Sequence, residues 1–287
     1  MGANAQQDVL ANVRIGFLGA GSIVEAMLSG IVQKKLLAAE RIAVTNRSDQ
    51  QRLAHLSRQY GVEALTDKLL LVRQSDILIL AVKPKDAQEA CQSLQGHIRP
   101  DQLVISLIAG VSTACIANWL GVNCPIIRTM PNTSSAVGHS VTGIAGGRHS
   151  DESHLEMALK LFAAIGSVYV VPEEDLDILT GLTGSGPAYI YYLVEAMEKA
   201  GIKAGLAPEM ARKLTVQTLL GAAQMLLHSS EEPAVLRRKV TSPGGTTQAG
   251  LEVLESYQFQ EAVISAVLRA AERSRELGEA YLKLSSR

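Results

Sequence analysis

The sequence predicts an α/β chain in two parts: a doubly wound, mostly parallel sheet with edge strands, then an all-α remainder. Three observations lead there. Short apolar runs that end in Gly, Pro or small polar residues alternate with helical stretches from Val13 to Met130, as fully buried parallel strands do. Strand signals vanish after Glu173. The length of 287 residues is what two domains of ordinary size require. The boundary falls at Pro172, where Glu173-Glu174-Asp175 supply the acids that favour a helix start, giving parts 1–172 and 173–287.

The first strand is Val13–Leu18, followed at once by Gly19-Ala20-Gly21 and a helix that opens with Ser22-Ile23 and runs to about Lys35. Strand, glycine turn and helix start are the context in which a G-x-G becomes a pyrophosphate site of the Rossmann type. Gly19 would make the turn, and Gly21 would let the backbone approach the phosphates. The third position of this fingerprint is normally small, so that helix and strand pack closely; Val24 stands there. Arg41–Thr45 is the second strand, ending in Asn46-Arg47-Ser48. An NAD site wants an acid at this end. Here Asn46 and Arg47 can hold a ribose 2′-phosphate instead, which points to NADPH over NADH, although a solvated polar turn has the same composition. Further strands follow at Asp76–Val82, ending in Lys83-Pro84, at Leu103–Ser106, ending in Ala109-Gly110, and at Ile126–Met130, ending in Pro131-Asn132. Ligands bind at these carboxyl ends. Lys83 is the one charge among them, and solvent is its simplest destination. Val141–Ala145 and Val168–Val171 flank a helix over Asp151–Ile165 and are expected as two edge strands.

In the second part, helices are expected over Asp175–Ala204, Pro208–His228, from near Thr246 to Tyr257, and over Phe259–Lys283. The first carries no charge from Ile178 to Val194 but holds Gly181, Gly184, Gly186 and Pro187. It therefore reads as a helix buried between protein surfaces, not one facing lipid. About 115 residues would struggle to cover a helix that is apolar nearly all round, so an intimate homodimer is expected.

Composition excludes several classes. Hydrophobic residues make up 47% and charged residues 19%, too apolar for disorder. A net charge of −1 with no Lys/Arg run argues against nucleic acid or an anionic membrane as partner. Cys91, Cys115 and Cys124 are odd in number and lack metal-ligand spacing, so no metal site is expected and reduced thiols in a cytoplasmic protein are the default. The opening residues show neither a signal peptide nor, with Gln6 in place of Ser or Thr, a myristoylation site.

The second part turns on Pro233–Glu255, whose centre reads Thr241-Ser242-Pro243-Gly244-Gly245-Thr246-Thr247. Glycines before a helix start let amides turn toward a ligand, and the helix adds unpaired N–H groups. No Lys follows as in a P-loop, so a carboxylate suits this pocket better than a triphosphate. A Gly-rich turn whose hydroxyls cap the helix is the other reading.

Pro233, Leu236, Val240, the run from Thr241 to Thr247, and Gly250-Leu251 with Leu254-Glu255 together resemble the signature of the pyrroline-5-carboxylate reductases. The stretches AVKP, AGVS and RTMPNT and the run Gly184–Ala188 are similar to that family too, with Thr183 for a usual Ser, Val24 for Ala and Lys68 for Asn. The resemblance implies NADPH-dependent reduction of the cyclic imine 1-pyrroline-5-carboxylate to L-proline. It implies a cofactor site at Gly19, Ala20, Gly21, Ser22, Ile23, Asn46, Arg47, Val82, Lys83, Pro84, Ala109 and Asn132. The substrate carboxylate would lie on Ser242, Gly244, Gly245 and Thr246, with Thr247 at the ring nitrogen as the catalytic group. It also implies dimerisation through the C-terminal helices, and often a larger ring of dimers. Another imine or hydroxy-acid reductase, or a non-catalytic NADP(H)-binding protein of the same fold, are the alternatives. The helical part offers no evident Lys, His or acid in a base role, which disfavours an alcohol substrate.

Overall fold

The computed structural model describes residues 9–285; the opening segment read above for targeting features lies, through residue 8, outside them. The first part alternates strand and helix. In order these are β1 (Ile15–Leu18), α1 (Ser22–Gln33), β2 (Ile42–Thr45), α2 (Gln50–Tyr60), β3 (Glu63–Leu65), α3 (Lys68–Gln74), β4 (Ile77–Leu80), α4 (Ala87–Gln92), β5 (Leu103–Ser106), α5 (Thr113–Leu120), β6 (Ile126–Met130), β7 (Ser140–Gly146), α6 (Glu152–Phe162) and β8 (Gly166–Val170). They form one sheet in the order β3-β2-β1-β4-β5-β6-β7-β8. The β6–β7 pairing is antiparallel and the others are parallel.

Alternation within each strand divides the core between the two sheet faces. Ile77 and Ile79 join Phe17, Met27, Ile105 and Phe162 on one face. Leu78 and Leu80 join Val104, Ile116 and Trp119 on the other. Because β1 pairs with β2 on one side and β4 on the other, the winding direction reverses between β1 and β4, and a crevice opens at their carboxyl ends.

Three expectations need correction. β7 is not an edge strand; it lies between β6 and β8, since its antiparallel return from β6 leaves β8 to close the sheet. The opposite edge is β3, a three-residue, largely exposed strand too short and too polar to show in the sequence pattern. The helix expected over Asp175–Ala204 is interrupted. α7 (Asp175–Leu179) gives way to a π turn at Thr180–Gly184 before α8 (Gly186–Lys203) begins. Ser185 N–H donates to Thr180 O at 2.8 Å, the five-residue span of a π turn. Pro187 has no N–H to offer Thr183, and that carbonyl instead accepts Asn132 Nδ2 at 2.9 Å.

The remaining helices are α9 (Pro208–His228), α10 (Pro233–Lys239), α11 (Thr246–Ser256) and α12 (Phe259–Ser285). The chain falls into two compact units: one runs through Ser185 and regains the chain from Arg269 onward, the other is Gly186–Leu268. A buried ionic network explains why the first unit extends past residue 172. Arg128 of β6, with its side chain 6% exposed, pairs with Asp177 at 2.9 Å and Glu173 at 3.8 Å. Glu173 accepts the N–H and hydroxyl of Thr113, so it serves the start of α5 and not only its own helix. Asp177 accepts Ser274 Oγ of α12 at 2.7 Å, and Tyr281 meets Trp119 edge-on at 6.1 Å.

In the second unit α8 buries no residue and α9 buries only Ala211 and Thr215. Tyr192 is 76% exposed and Leu227 75%. Single exposed apolar residues are ordinary, but a helix pair with Tyr191, Tyr192, Leu214, Leu220 and Leu227 all uncovered is a surface awaiting a partner. Among the described residues no helix is long and apolar enough to cross a membrane.

Candidate active site

Parallel pairing brings the carboxyl ends of β1, β2, β4, β5 and β6 to one edge of the sheet, and with them the loops that carry all the expected cofactor residues. Gly19 has φ +123°, and a Cβ there would collide with the carbonyl oxygen of Ala81. Only glycine lets the turn clear β4. Its N–H donates to Thr45 O at 2.9 Å, which ties the turn to β2. Gly21 precedes α1 with no side-chain cap, and nothing lies within 4 Å of its Cβ position. The first hydrogen bond of α1 is Glu25 N–H to Gly21 O. The N–H groups of Gly21, Ser22 and Ile23 therefore have no internal acceptors among the described residues, beside the open space at Gly21. This is a cradle into which a pyrophosphate fits.

Val24 does not loosen α1. It is fully buried, as are Met27, Leu28 and Ile31, and it joins the core of that sheet face. After β2, Asn46 and Arg47 have different situations. Asn46 Oδ1 accepts the N–H groups of Ser48 and Asp49, and its Nδ2 donates to Asp49 O at 2.8 Å, so this side chain shapes the loop. The Arg47 side chain is 78% exposed, with Asp86 Oδ1 3.7 Å away, and stays available to an anion. Lys83 is exposed and begins a 3₁₀ turn over Pro84–Asp86, while Val82 and Ala109 are half-buried. The amide of Asn132 is committed to Thr183 O and Ser134 N–H, so its side chain links the β6 loop to the π turn.

The second unit carries the hydroxyl-rich corner. Gly244 has φ +66°, the left-handed conformation that turns the chain into α11. Two of the expected carboxylate donors are engaged internally: Gly244 N–H donates to Gln248 Oε1 at 2.8 Å, and Gly245 N–H to Ser242 O at 3.0 Å. The first hydrogen bond of α11 is Ala249 N–H to Gly245 O. Thr246 and Thr247 thus present N–H groups with no internal acceptor among the described residues, beside the hydroxyls of Ser242, Thr246 and Thr247. No side chain caps this helix, unlike α2, α3, α5 and α6, each with a capping Asp or Ser. The hydroxyls therefore do not serve as the helix cap that was the other sequence reading. Thr241 differs, since its hydroxyl bonds Arg237 O.

Sequence reasoning missed Gln248, Asp86, Arg128 and the pair Arg52 and Glu25, whose places depend on contacts distant in sequence. No local pattern marks them. The cysteines are all free and buried. Burial pushes the thiols up, Cys91 to about 12 and Cys124 to about 11, so neither is a nucleophile near neutrality.

Comparison with known proteins shows the family. Residues 173–277 match the family model for pyrroline-5-carboxylate reductase dimerisation. Residues 14–110 match that for NADP oxidoreductase, coenzyme F420-dependent. Pyrroline-5-carboxylate reductase 1 of Bacillus spizizenii is 46% identical over 266 residues, 93% of this chain and 90% of that protein. Among solved structures, a pyrroline-5-carboxylate reductase from Coxiella burnetii shares 37% identity with a TM-score of 0.85, covering 92% of this chain and 98% of that one. The Plasmodium falciparum pyrroline carboxylate reductase, solved with NADP bound, shares 28% identity with a TM-score of 0.85, covering 93% and 98%. By identity and by coverage of both halves, the chain belongs to the pyrroline-5-carboxylate reductase family.

Proposed function

We propose that this chain reduces 1-pyrroline-5-carboxylate to L-proline with NADPH, NADH serving less well, and that the corner from Ser242 to Thr247 holds the substrate. One observation carries the assignment: the paired, unsatisfied N–H groups of Thr246 and Thr247 at an uncapped helix start, ringed by hydroxyls. A carboxylate accepts two such donors and gains from the helix dipole. Gly244 and Gly245 give the corner its shape, and Ser242 Oγ is a further donor. Thr247 Oγ steadies the ring nitrogen. That nitrogen arrives protonated, so a neutral hydroxyl suffices and no strong acid is required.

When bound, NADPH supplies the hydride that adds to the imine carbon. Gly19, Ala20, Gly21, Ser22 and Ile23 would hold its pyrophosphate, Arg47 its 2′-phosphate, and the loops at Val82–Pro84, Ala109 and Asn132 the nicotinamide side. The chain's part in the reaction is orientation and exclusion of water.

The functional division follows residue 172, with NADP(H) binding in 1–172 and substrate binding and dimerisation in 173–287. The uncovered faces of α8 and α9 support a homodimer through the C-terminal helices, with dimers assembling further into a ring. Three unpaired cysteines support the cytoplasm as its place of work. The test is NADPH absorbance with and without 1-pyrroline-5-carboxylate, in the native chain and in Thr247→Ala. Oxidation should require the imine, and the variant should turn over about 10²-fold more slowly or less. A loss near 10⁴ would contradict the role given to this hydroxyl.

A further inference from the structure

Arg52 stands in the first turn of α2, where its backbone N–H is held by the capping carboxylate of Asp49 at 2.8 Å. Its side chain leaves α2 and reaches the glycine turn after β1. Nε donates to Ala20 O at 2.9 Å, and Nη2 donates to Glu25 Oε2 at 2.6 Å. Glu25 lies in the first turn of α1, and the two side chains are 25% and 29% exposed. The other Glu25 oxygen faces His55 Nε2 at 3.4 Å.

Two consequences follow from elementary geometry and charge. In a trans peptide the C=O and N–H point in opposite directions. Drawing Ala20 O toward Arg52 therefore aims the Gly21 N–H the other way, with the unsatisfied amides that open α1. The second consequence concerns Glu25. A carboxylate in the first turn of α1 lies on the same helix end that would bind a pyrophosphate, where it would repel it. Arg52 neutralises that charge while using its second donor to fix the turn.

We propose that Arg52 is a positioning residue for the dinucleotide pyrophosphate, locked by Glu25, and that it acts equally on NADPH and NADH. The proposal rests on the cofactor reading above and adds a residue whose side chain is spent on the glycine turn and Glu25 and not on Arg47. It is testable by direct binding, independently of turnover. The probes are NADPH, NADH and adenosine 2′-phosphate; the last carries the 2′-phosphate and no pyrophosphate.

Arg52→Gln should weaken NADPH and NADH by the same factor, about tenfold, as expected for losing a charge-assisted contact that only partly registers in affinity. Adenosine 2′-phosphate should change by less than about twofold, because the backbone cap of α2 is untouched. Glu25→Gln, which leaves no uncompensated carboxylate, should weaken the dinucleotides by only about threefold. The double variant should recover part of the Arg52→Gln loss, because the stranded carboxylate is then gone. Arg52→Lys, keeping the cation without the fork, should fall between native and Arg52→Gln. Equal weakening of adenosine 2′-phosphate would mean a general loosening and would overturn the proposal, as would unchanged dinucleotide affinity. If Arg52→Gln does not fold, Glu25→Gln decides on the same criteria. NADH lacks the 2′-phosphate, so its affinity reads this turn whether or not Arg47 does what is assigned to it.

Discussion

Replacing Arg47 by Ala removes one cation from the end of β2 and nothing from the core, because its side chain is 78% exposed. In the free protein the guanidinium has a loose partner, Asp86 Oδ1 at 3.7 Å, and an exposed pair of that kind contributes about 0.2–1 kcal/mol. A 2′-phosphate on the same guanidinium makes a charge-assisted contact of about 1.5–3 kcal/mol. Binding NADPH exchanges the first for the second, so the net preference is about 0.5–2.8 kcal/mol, or about 2- to 110-fold. NADH gains none of it. Steady-state kinetics at saturating imine should therefore show KM for NADPH rising about tenfold in Arg47→Ala, with KM for NADH within about twofold and kcat little changed. Asn46 should not substitute, since its amide is occupied within the loop. Equal effects on the two coenzymes would refute the exchange argument and take the 2′-phosphate away from Arg47.

Two further outcomes concern the scaffold. Arg128→Met leaves the carboxylates of Glu173 and Asp177 without their cation, which should cost about 3–5 kcal/mol in urea unfolding; a loss under about 1 kcal/mol would show that the network is solvated. The second is a pH effect. The Arg52 hydrogen bond, aided by the Arg52 and His55 charges, holds the Glu25 carboxyl below the usual glutamate range, against a partial offset from burial, and Tyr60 faces the same carboxylate. A depressed folded-state pKa gives stability that is complete above the unfolded value and is lost as pH falls toward the folded one. The native chain should thus lose stability more steeply than Glu25→Gln as pH falls below about 5, through the usual glutamate range and on toward the depressed folded-state value. Parallel curves would show that Glu25 is not the group responsible.

The sequence is a good guide where the physics is local. Buried parallel strands such as β4 and β5 read directly, because ILIL and LVIS are apolar on both faces and are bounded by breakers. Gly19 and Gly244 are legible because a turn before a helix demands their conformations. What fails to show is set by contacts far apart in the chain. The position of β7 inside the sheet depends on which neighbour β8 finds, and the π turn depends on Pro187 and on a donor, Asn132 Nδ2, that reaches Thr183 O from another loop. Arg52 and Arg128 look like ordinary helix and strand residues until Ala20 O, Glu25, Glu173 and Asp177 are beside them. Even within the corner, Gln248 takes the Gly244 amide. With the Gly245 amide on Ser242 O as well, the amides left without an internal acceptor are those of Thr246 and Thr247, two residues along from the glycines.

A structure of the protein crystallised with NADP and L-proline bears most heavily on this reading. The carboxylate of proline should rest on the Thr246 and Thr247 N–H groups with Ser242 Oγ beside it and the ring nitrogen within hydrogen-bonding distance of Thr247 Oγ. Proline bound elsewhere, with those two amides still unpaired while NADP fills the glycine turn, would contradict it.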